Sequence, residues 1–579
     1  MNNKLKRTLC GLSALVMLAG LSSCASGTEG GSSAQETSPA GEGQTADGGA
    51  EDTSADPSDP AVSVVTTRAR EDIATEPVVE TLGDFDLSEY SDGDVPEDYS
   101  FEAEAEKCEL SGGASVIDKA FVGKFTGDGF IAVMGEGIGE MEIDFPASGS
   151  YDLTIRSASD SEDTKAQITV DGAALTTFDV PSDKFDDNKA EKVRFPEGKH
   201  KIGFKSQSSA PVYIDSFTIK PAEKIDPAQF EVSRELVNPN ANEETRRLYS
   251  FLCDTYGKYI LSGQYSKDNW GTESREFIEI EKLCGDYPAV QGIDLIELSP
   301  SRLRHGSGGG ETAIRNAKSW WNDYGGIVTI CWHWNAPDKY LYENDNEHPW
   351  WRGFYSDSTT INLGKIMNGE DQEGYDMLVQ DIDSIAEYLK ELEDYHVPVL
   401  WRPLHEGGGD PIWNNTWFWW GSSGGEAYKE LWKLMYDRLT NYHHLNNLIW
   451  VWNGQNPAYY PGDEYCDIIG FDVYADKGDY SSKKWYYDFT KDCASSNKIV
   501  AMTENGTLFD PDAAMADGAR WSYFATWNGE FTVKDAQLSG EYTSLDMWKK
   551  IYNHDRVLTL KELPDLKNYP LDSKAFLDK

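Results

Sequence analysis

Two glutamates stand at the ends of apolar runs: Glu406 closes Val399-Leu-Trp-Arg-Pro-Leu-His-Glu406, and Glu504 closes Ile499-Val-Ala-Met-Thr-Glu504. Other residues able to bond or to stack against a ligand end comparable runs, namely Gln264, Asp294, His333, His405, Asn453, Tyr474 and Trp527. One strand-end carboxylate is ordinarily a salt-bridge partner, but a set repeated at the end of each run is hard to assign to packing. A facing pair of carboxylates is the minimum apparatus for breaking a glycosidic bond. One protonates the leaving oxygen while the other attacks the anomeric carbon or activates water. A separation of roughly 5–5.5 Å goes with retention of configuration and a larger one with inversion.

Eight such runs follow residue 240: Tyr259–Tyr265, Ala289–Asp294, Ile327–Trp334, Val399–Glu406, Leu448–Asn453, Ile468–Tyr474, Ile499–Glu504 and Phe524–Trp527. Helix-like periodicity lies between several of them, clearest in Tyr375–Glu393 and Glu426–His443. Strand and helix in alternation over residues 240–579 predict an α/β fold, a (β/α)8 TIM barrel with insertions. Its active site would sit at the C-terminal strand ends. Glu406 ends the fourth strand and Glu504 the seventh, so their side chains would face each other across the barrel mouth. Trp320, Trp432 and Trp450 fall in helix or mid-strand positions and read as core.

Residues 98–222 have a different pattern. Runs such as Tyr151–Arg156, Ala166–Val170, Lys201–Phe204 and Val212–Ile219 alternate apolar and polar side chains between Gly, Pro and Asp turns, which predicts an all-β sandwich. Residues 25–97, rich in Gly, Ser, Thr, Asp and Glu, cannot bury enough apolar area to offset their ordering entropy and read as a disordered acidic tether. As a flexible coil it would span on the order of 45 Å, more with charge repulsion.

Residues 1–24 begin with a basic segment, continue with the apolar Leu9–Leu21 and end in Leu21-Ser22-Ser23-Cys24. This is the layout of an export signal, too short to cross a bilayer comfortably. Leu21–Cys24 looks like a bacterial lipobox, which implies lipidation at Cys24 and an extracellular protein held at the cell surface. The other reading is an ordinary cleaved signal that ends near a cysteine. The net charge of −47 argues against nucleic acid and anionic lipid headgroups as partners, leaving membrane association to the lipid alone. The chain is expected to be a monomer. Beyond Cys10 and Cys24, six cysteines (Cys108, Cys253, Cys284, Cys331, Cys466 and Cys493) show no zinc-site spacing, and Cys331 and Cys466 lie in or beside apolar runs.

Trp401-Arg-Pro-Leu-His-Glu406, Trp417-Phe-Trp-Trp-Gly421 and Met502-Thr-Glu504 resemble glycoside hydrolase family 26, most of whose members are retaining β-mannanases on a (β/α)8 barrel. The resemblance implies Glu406 as acid/base and Glu504 as nucleophile, with no cofactor for catalysis. It further implies His405 as a sugar contact where the bond breaks, Tyr474 as a hydrogen-bond donor to the nucleophile, Trp527 as an aromatic floor, and His333 and Trp417 as lining for neighbouring subsites. The chain departs from the pattern in an insertion, Gly407–Thr416 with Trp413 inside it, and in Asn528 after Trp527, where family mannanases often carry arginine. Both bear on substrate length and identity.

Phe101-Glu-Ala-Glu-Ala-Glu106, Leu110-Ser-Gly-Gly113 and Tyr213-Ile-Asp215 resemble the β-jelly-roll carbohydrate-binding modules of family 35. That resemblance implies a structural calcium at Glu104, Glu106 and Asp215, and carboxylates at i and i+2 of a strand do share a face. A solvated face of an acidic protein is the competing reading. The segment has no Trp, so Phe130 and Tyr213 are the aromatic candidates for a sugar platform. The combined expectation is an endo-β-1,4-mannanase acting on β-mannan, glucomannan or galactomannan. The alternatives are a β-glucanase or β-1,3-xylanase of the same family, or a surface glycan-binding protein without turnover. A metal-dependent deacetylase is disfavoured because the histidines lack ligand spacing.

Overall fold

The computed structural model describes residues 95–571, apart from 163, 183, 208–209, 343–346 and 412–414. The signal segment 1–24 with Cys24, most of the 25–97 tether, and Trp413 lie outside the described residues.

Eleven strands form the N-terminal domain: β1 (Phe101–Glu104), β2 (Glu109–Ser111), β3 (Ser115–Ile117), β4 (Phe130–Val133), β5 (Ile138–Phe145), β6 (Gly149–Ser159), β7 (Thr164–Val170), β8 (Ala173–Val180), β9 (Asp186–Phe195), β10 (Gly198–Ser206) and β11 (Val212–Pro221). They make two antiparallel sheets, β3-β4-β11-β6-β9 with β1 added on β11, and β2-β5-β10-β7-β8. Alternation sends Leu153 and Ile155 of β6, Ile214, Phe217 and Ile219 of β11, Ile202 and Phe204 of β10, and Ile168 of β7 into one shared core. Phe130 and Tyr213, the expected platform, are themselves buried at 0% and 5% exposure, so that expectation is corrected. They belong to a second apolar cluster with Val122, Ala158 and Phe185. The ring left outside is Phe121, 56% exposed and edge-on to Tyr213 at 5.1 Å.

The long first run of the C-terminal domain is split into β12 (Ile260–Leu261) and β13 (Gly263–Tyr265). A closed parallel barrel then follows in sequence order: β13, β14 (Val290–Asp294), β15 (Ile327–Cys331), β16 (Val399–Arg402), β17 (Leu448–Trp452), β18 (Ile468–Val473), β19 (Ile499–Asn505) and β20 (Phe524–Thr526). Such strands are covered on both faces, which is why Leu448-Ile-Trp-Val-Trp452 is apolar throughout and wholly buried. The helix Gln372–Asp394 starts on Asp371, whose carboxylate accepts the Gly374 N–H, and buries Leu378, Ile382, Ile385 and Leu389 at helical spacing. Its Asp381 also accepts the Trp334 indole N–H at 2.9 Å, which ties the segment after β15 to the outer layer. The second expected helix holds α geometry over Gly425–Tyr436 and widens to a π turn over Asp437–Tyr442. Trp320, Trp432 and Trp450 are core as expected, and six cysteines, Cys331 and Cys466 among them, are free thiols.

Candidate active site

Strand β16 stops at Arg402, and the chain carries Glu406 beyond it in a tight turn. Leu404 (φ 50) and Glu406 (φ 53) take left-handed backbone there, a costly conformation for residues with a Cβ. The turn is over-determined by its surroundings. Glu406 N donates to Asn453 O at 2.8 Å, the Trp420 indole donates to His405 O at 2.9 Å, and Tyr428 Oη donates to Leu404 O at 2.8 Å. Gly421 lies so close that a Cβ on it would stand 1.7 Å from Gly407 O, so only glycine lets the Trp417–Gly421 segment close over the acid turn. This closure brings Trp417 Nε1 to 2.7 Å from Glu406 Oε2.

Glu504 projects from β19 itself. The register of β18 on β19 sets Asp472 beside Glu504, with an irregularity between Phe471 and Asp472 that re-aims the strand. Tyr474, just past the end of β18 and two residues beyond Asp472, donates to Glu504 Oε2 at 2.7 Å. Arg402, fully buried, bonds Glu504 Oε1, Asp472 Oδ2 (2.8 Å), Asn453 Oδ1 (3.0 Å) and the Tyr265 hydroxyl (3.0 Å). Thr503 donates to the other Asp472 oxygen at 2.6 Å. One carboxylate oxygen from each of Glu406, Asp472 and Glu504 lies within 4.8 Å of the other two.

Burial raises both catalytic candidates above the ordinary carboxylate range, and the two differ in what opposes it. Glu406 goes well up, through burial and the charges of Asp472 and Glu504, against the Trp417 indole and Arg402. Burial and Asp472 push Glu504 up to about 7, while Arg402, His333 and the Tyr474 hydroxyl pull it back. The surroundings of Glu406 thus favour its protonated form, while the carboxylate of Glu504 has the Arg402 guanidinium and the Tyr474 hydroxyl on its oxygens. Glu406 Oε1, His405 Nδ1 and Asn453 Nδ2 are buried polar atoms with no hydrogen-bond partner among the described residues. Such orphans clustered on one site are a mark of function.

The remaining candidates surround this pair. His333 Nε2 meets His405 Nε2 at 3.2 Å, and Phe354, Phe418 and Trp527 ring His333 at 5.1, 5.4 and 5.9 Å between centroids. Trp527 packs on Tyr265 at 4.7 Å and retains slight exposure at the mouth. Gln264 instead reaches the β20 side, donating to Thr532 Oγ1 at 3.0 Å, and is structural. Arg402 and Asp472 went unselected in the sequence. The signal was a charged residue in an otherwise apolar run, Arg402 four positions before Glu406 and Asp472 two before Tyr474.

In the sandwich, β1 ends at Glu104 and Glu106 lies in a 3-10 turn, so the two do not share a strand face as expected. They meet around Gly127, where a Cβ would come within 2.6 Å of Glu106 Oε1 and 3.1 Å of the Glu104 carboxyl. Glu106 Oε2 is buried without a partner, a cradle that suits a hard cation. Asp215 is engaged otherwise, with Arg156 Nε at 2.9 Å and Thr126 N at 2.9 Å on its carboxylate.

A family profile described as glycosyl hydrolase family 26 matches residues 237–562. A mannan endo-1,4-β-mannosidase of Thermothelomyces thermophilus is 38% identical over 79% of this chain and 90% of its own. One from Piromyces sp., mannan endo-1,4-β-mannosidase A, is 35% identical over 79% and 70%. Among solved structures, the Podospora anserina β-(1,4)-mannanase of family 26 with a family 35 binding module superposes with a TM-score of 0.60 at 33% identity, covering 81% of this chain and 99% of that one. With the match spanning the whole barrel that carries Glu406 and Glu504, this chain is a glycoside hydrolase and belongs to glycosyl hydrolase family 26.

Proposed function

We propose that the enzyme is a retaining endo-β-1,4-mannanase. The observation that supports the mechanism is the close approach of Glu406 and Glu504, one oxygen of each within 4.8 Å of the other, which favours the closely spaced pair of a retaining enzyme, roughly 5–5.5 Å between carboxyls, over the wider inverting arrangement. Protonated Glu406 donates to the leaving glycosidic oxygen as Glu504 attacks the anomeric carbon and forms a glycosyl-enzyme. Glu406, now a base, takes a proton from the water that releases the sugar. Arg402 and Tyr474 hold the Glu504 carboxylate in plane and balance its charge before attack. Trp527 offers an aromatic face to a pyranose, and His333, His405 and Trp417 line the same space. Mannan as substrate rests on the mannanases among the relatives. Asn528 and the Gly407–Thr416 insertion bear on chain length and branching.

The sandwich is read as a carbohydrate-binding module, with Glu104 and Glu106 holding a calcium ion that would brace the loop around Gly127 and take no part in catalysis. Cys24 is read as a lipid attachment point. The test of activity is product profiling on linear β-mannan, glucomannan, barley β-glucan and β-1,3-xylan. Mannooligosaccharides from the first two support the reading. Products from β-glucan or β-1,3-xylan alone would keep the glutamate pair and replace the substrate. Binding of mannan without any product would make the chain a glycan-binding protein.

A further inference from the structure

One carboxylate at the barrel mouth is built in more firmly than any salt bridge requires. Asp294, last residue of β14, accepts the backbone N–H groups of Ile296 (2.9 Å) and His333 (3.1 Å) on Oδ1, and His333 Nδ1 on Oδ2 at 2.7 Å. Its own backbone is clamped by Asn269, whose side chain accepts from Asp294 N at 2.9 Å and donates to Asp294 O at 2.8 Å. The carboxylate therefore cannot turn away from the imidazole.

A carboxylate accepts only, so His333 Nδ1 carries a proton. Between His333 Nε2 and His405 Nε2, 3.2 Å apart, one proton is shared. His405 is fully buried and held neutral, because burial and the nearby His333 and Arg402 depress its affinity for a second proton. It has one ring proton to place. If His405 donates from Nε2, its Nδ1 is a bare acceptor; if His333 donates, His405 Nδ1 is an N–H donor. That Nδ1 is buried with no hydrogen-bond partner among the described residues, on the residue immediately before Glu406. His333 also lies near enough to act electrostatically on Glu504.

We propose that Asp294 is a positioning residue for the reaction: through His333 it fixes the shared proton and so sets whether the His405 ring beside the acid glutamate accepts or donates. This rests on the two-glutamate reading and adds a third carboxylate that never touches the sugar. An amide at position 294 both donates and accepts, so His333 is freed to take the other tautomer, the kind of change that disables an imidazole without moving it.

The test is a double-mutant cycle with Asp294→Asn, His333→Asn and the double variant, measured as kcat and KM on a soluble mannooligosaccharide. Asp294→Asn is expected to lower kcat on the order of 100-fold with little change in KM, and to add nothing once His333 is replaced. Losses that multiply in the double variant, or a folded Asp294→Asn with wild-type kcat, would overturn the proposal. A direct readout on the unmutated enzyme covers the case in which a variant fails to fold: a low-field imidazole N–H proton resonance in the wild type. Its assignment to His333 Nδ1, apart from the imidazoles of His200, His443 and His554 that also meet carboxylates, supports the bond to Asp294, and the absence of a His333 Nδ1 proton from the folded enzyme overturns it. Should the wild type cut no mannan, the functional reading fails separately, since the resonance still reports on the relay.

Discussion

At the scale of single residues, the division of labour rests on what each carboxylate touches. Removing the Trp417 indole takes a donor from Glu406 and raises its pKa further, so Trp417→Phe should move the alkaline limb of kcat/KM to higher pH. Tyr474→Phe takes a donor from Glu504, raises that pKa, and should move the acidic limb to higher pH while lowering kcat by roughly 10- to 100-fold. Full pH profiles of both variants check the two roles independently; Trp417→Phe moving the acidic limb, or Tyr474→Phe the alkaline limb, would reverse the assignment of acid and nucleophile. These two glutamates were legible in the sequence because each interrupts an apolar run at its end. Arg402 and Asp472 were not, because a charge inside a buried strand has no meaning until its partner strand is known. The left-handed turn at Leu404 and Glu406 was also hidden, since neither residue type announces positive φ, and Glu406 read as the strand's last residue.

At the scale of elements, the barrel is cross-linked beneath the site by Arg402, which joins β16 to Tyr265 on β13, Asp472 on β18 and Glu504 on β19. Replacing it by methionine would leave Asp472 buried beside Glu504 without its counter-charge. Arg402→Met should cost about 3–5 kcal/mol in denaturant unfolding, and an unfolding free energy within about 1 kcal/mol of wild type would show the network to be dispensable. Gly421→Ala should abolish most activity with the barrel still folded, as the Trp417 segment is forced off the acid turn; an active Gly421→Ala enzyme would mean the turn tolerates that displacement. The barrel strands were readable in advance because two-sided burial gives unbroken apolar runs. In the sandwich, alternation reveals strands without saying which face a loop covers, so it does not distinguish the buried Phe130 and Tyr213 from surface aromatics. The end of β1 at Glu104 likewise undid the shared face assumed for Glu104 and Glu106.

At the scale of the whole molecule, calcium at Glu104 and Glu106 would link the stability of the sandwich to free metal. Chelation should lower the melting temperature in the wild type by several degrees and leave Glu106→Ala unmoved, as binding to the native state alone requires. An identical melting curve with and without chelator would remove the ion. The proposed lipid attachment at Cys24 predicts that Cys24→Ala releases the enzyme from the cell surface, seen by fractionation, with catalysis unchanged. The most direct test of the central claim is proton NMR of the first product formed from linear β-mannan. Double displacement by Glu406 and Glu504 gives the β-anomer first, with the signal lost in Glu406→Ala and Glu504→Ala. An α-anomer appearing first, or β-product persisting in Glu504→Ala, would contradict it.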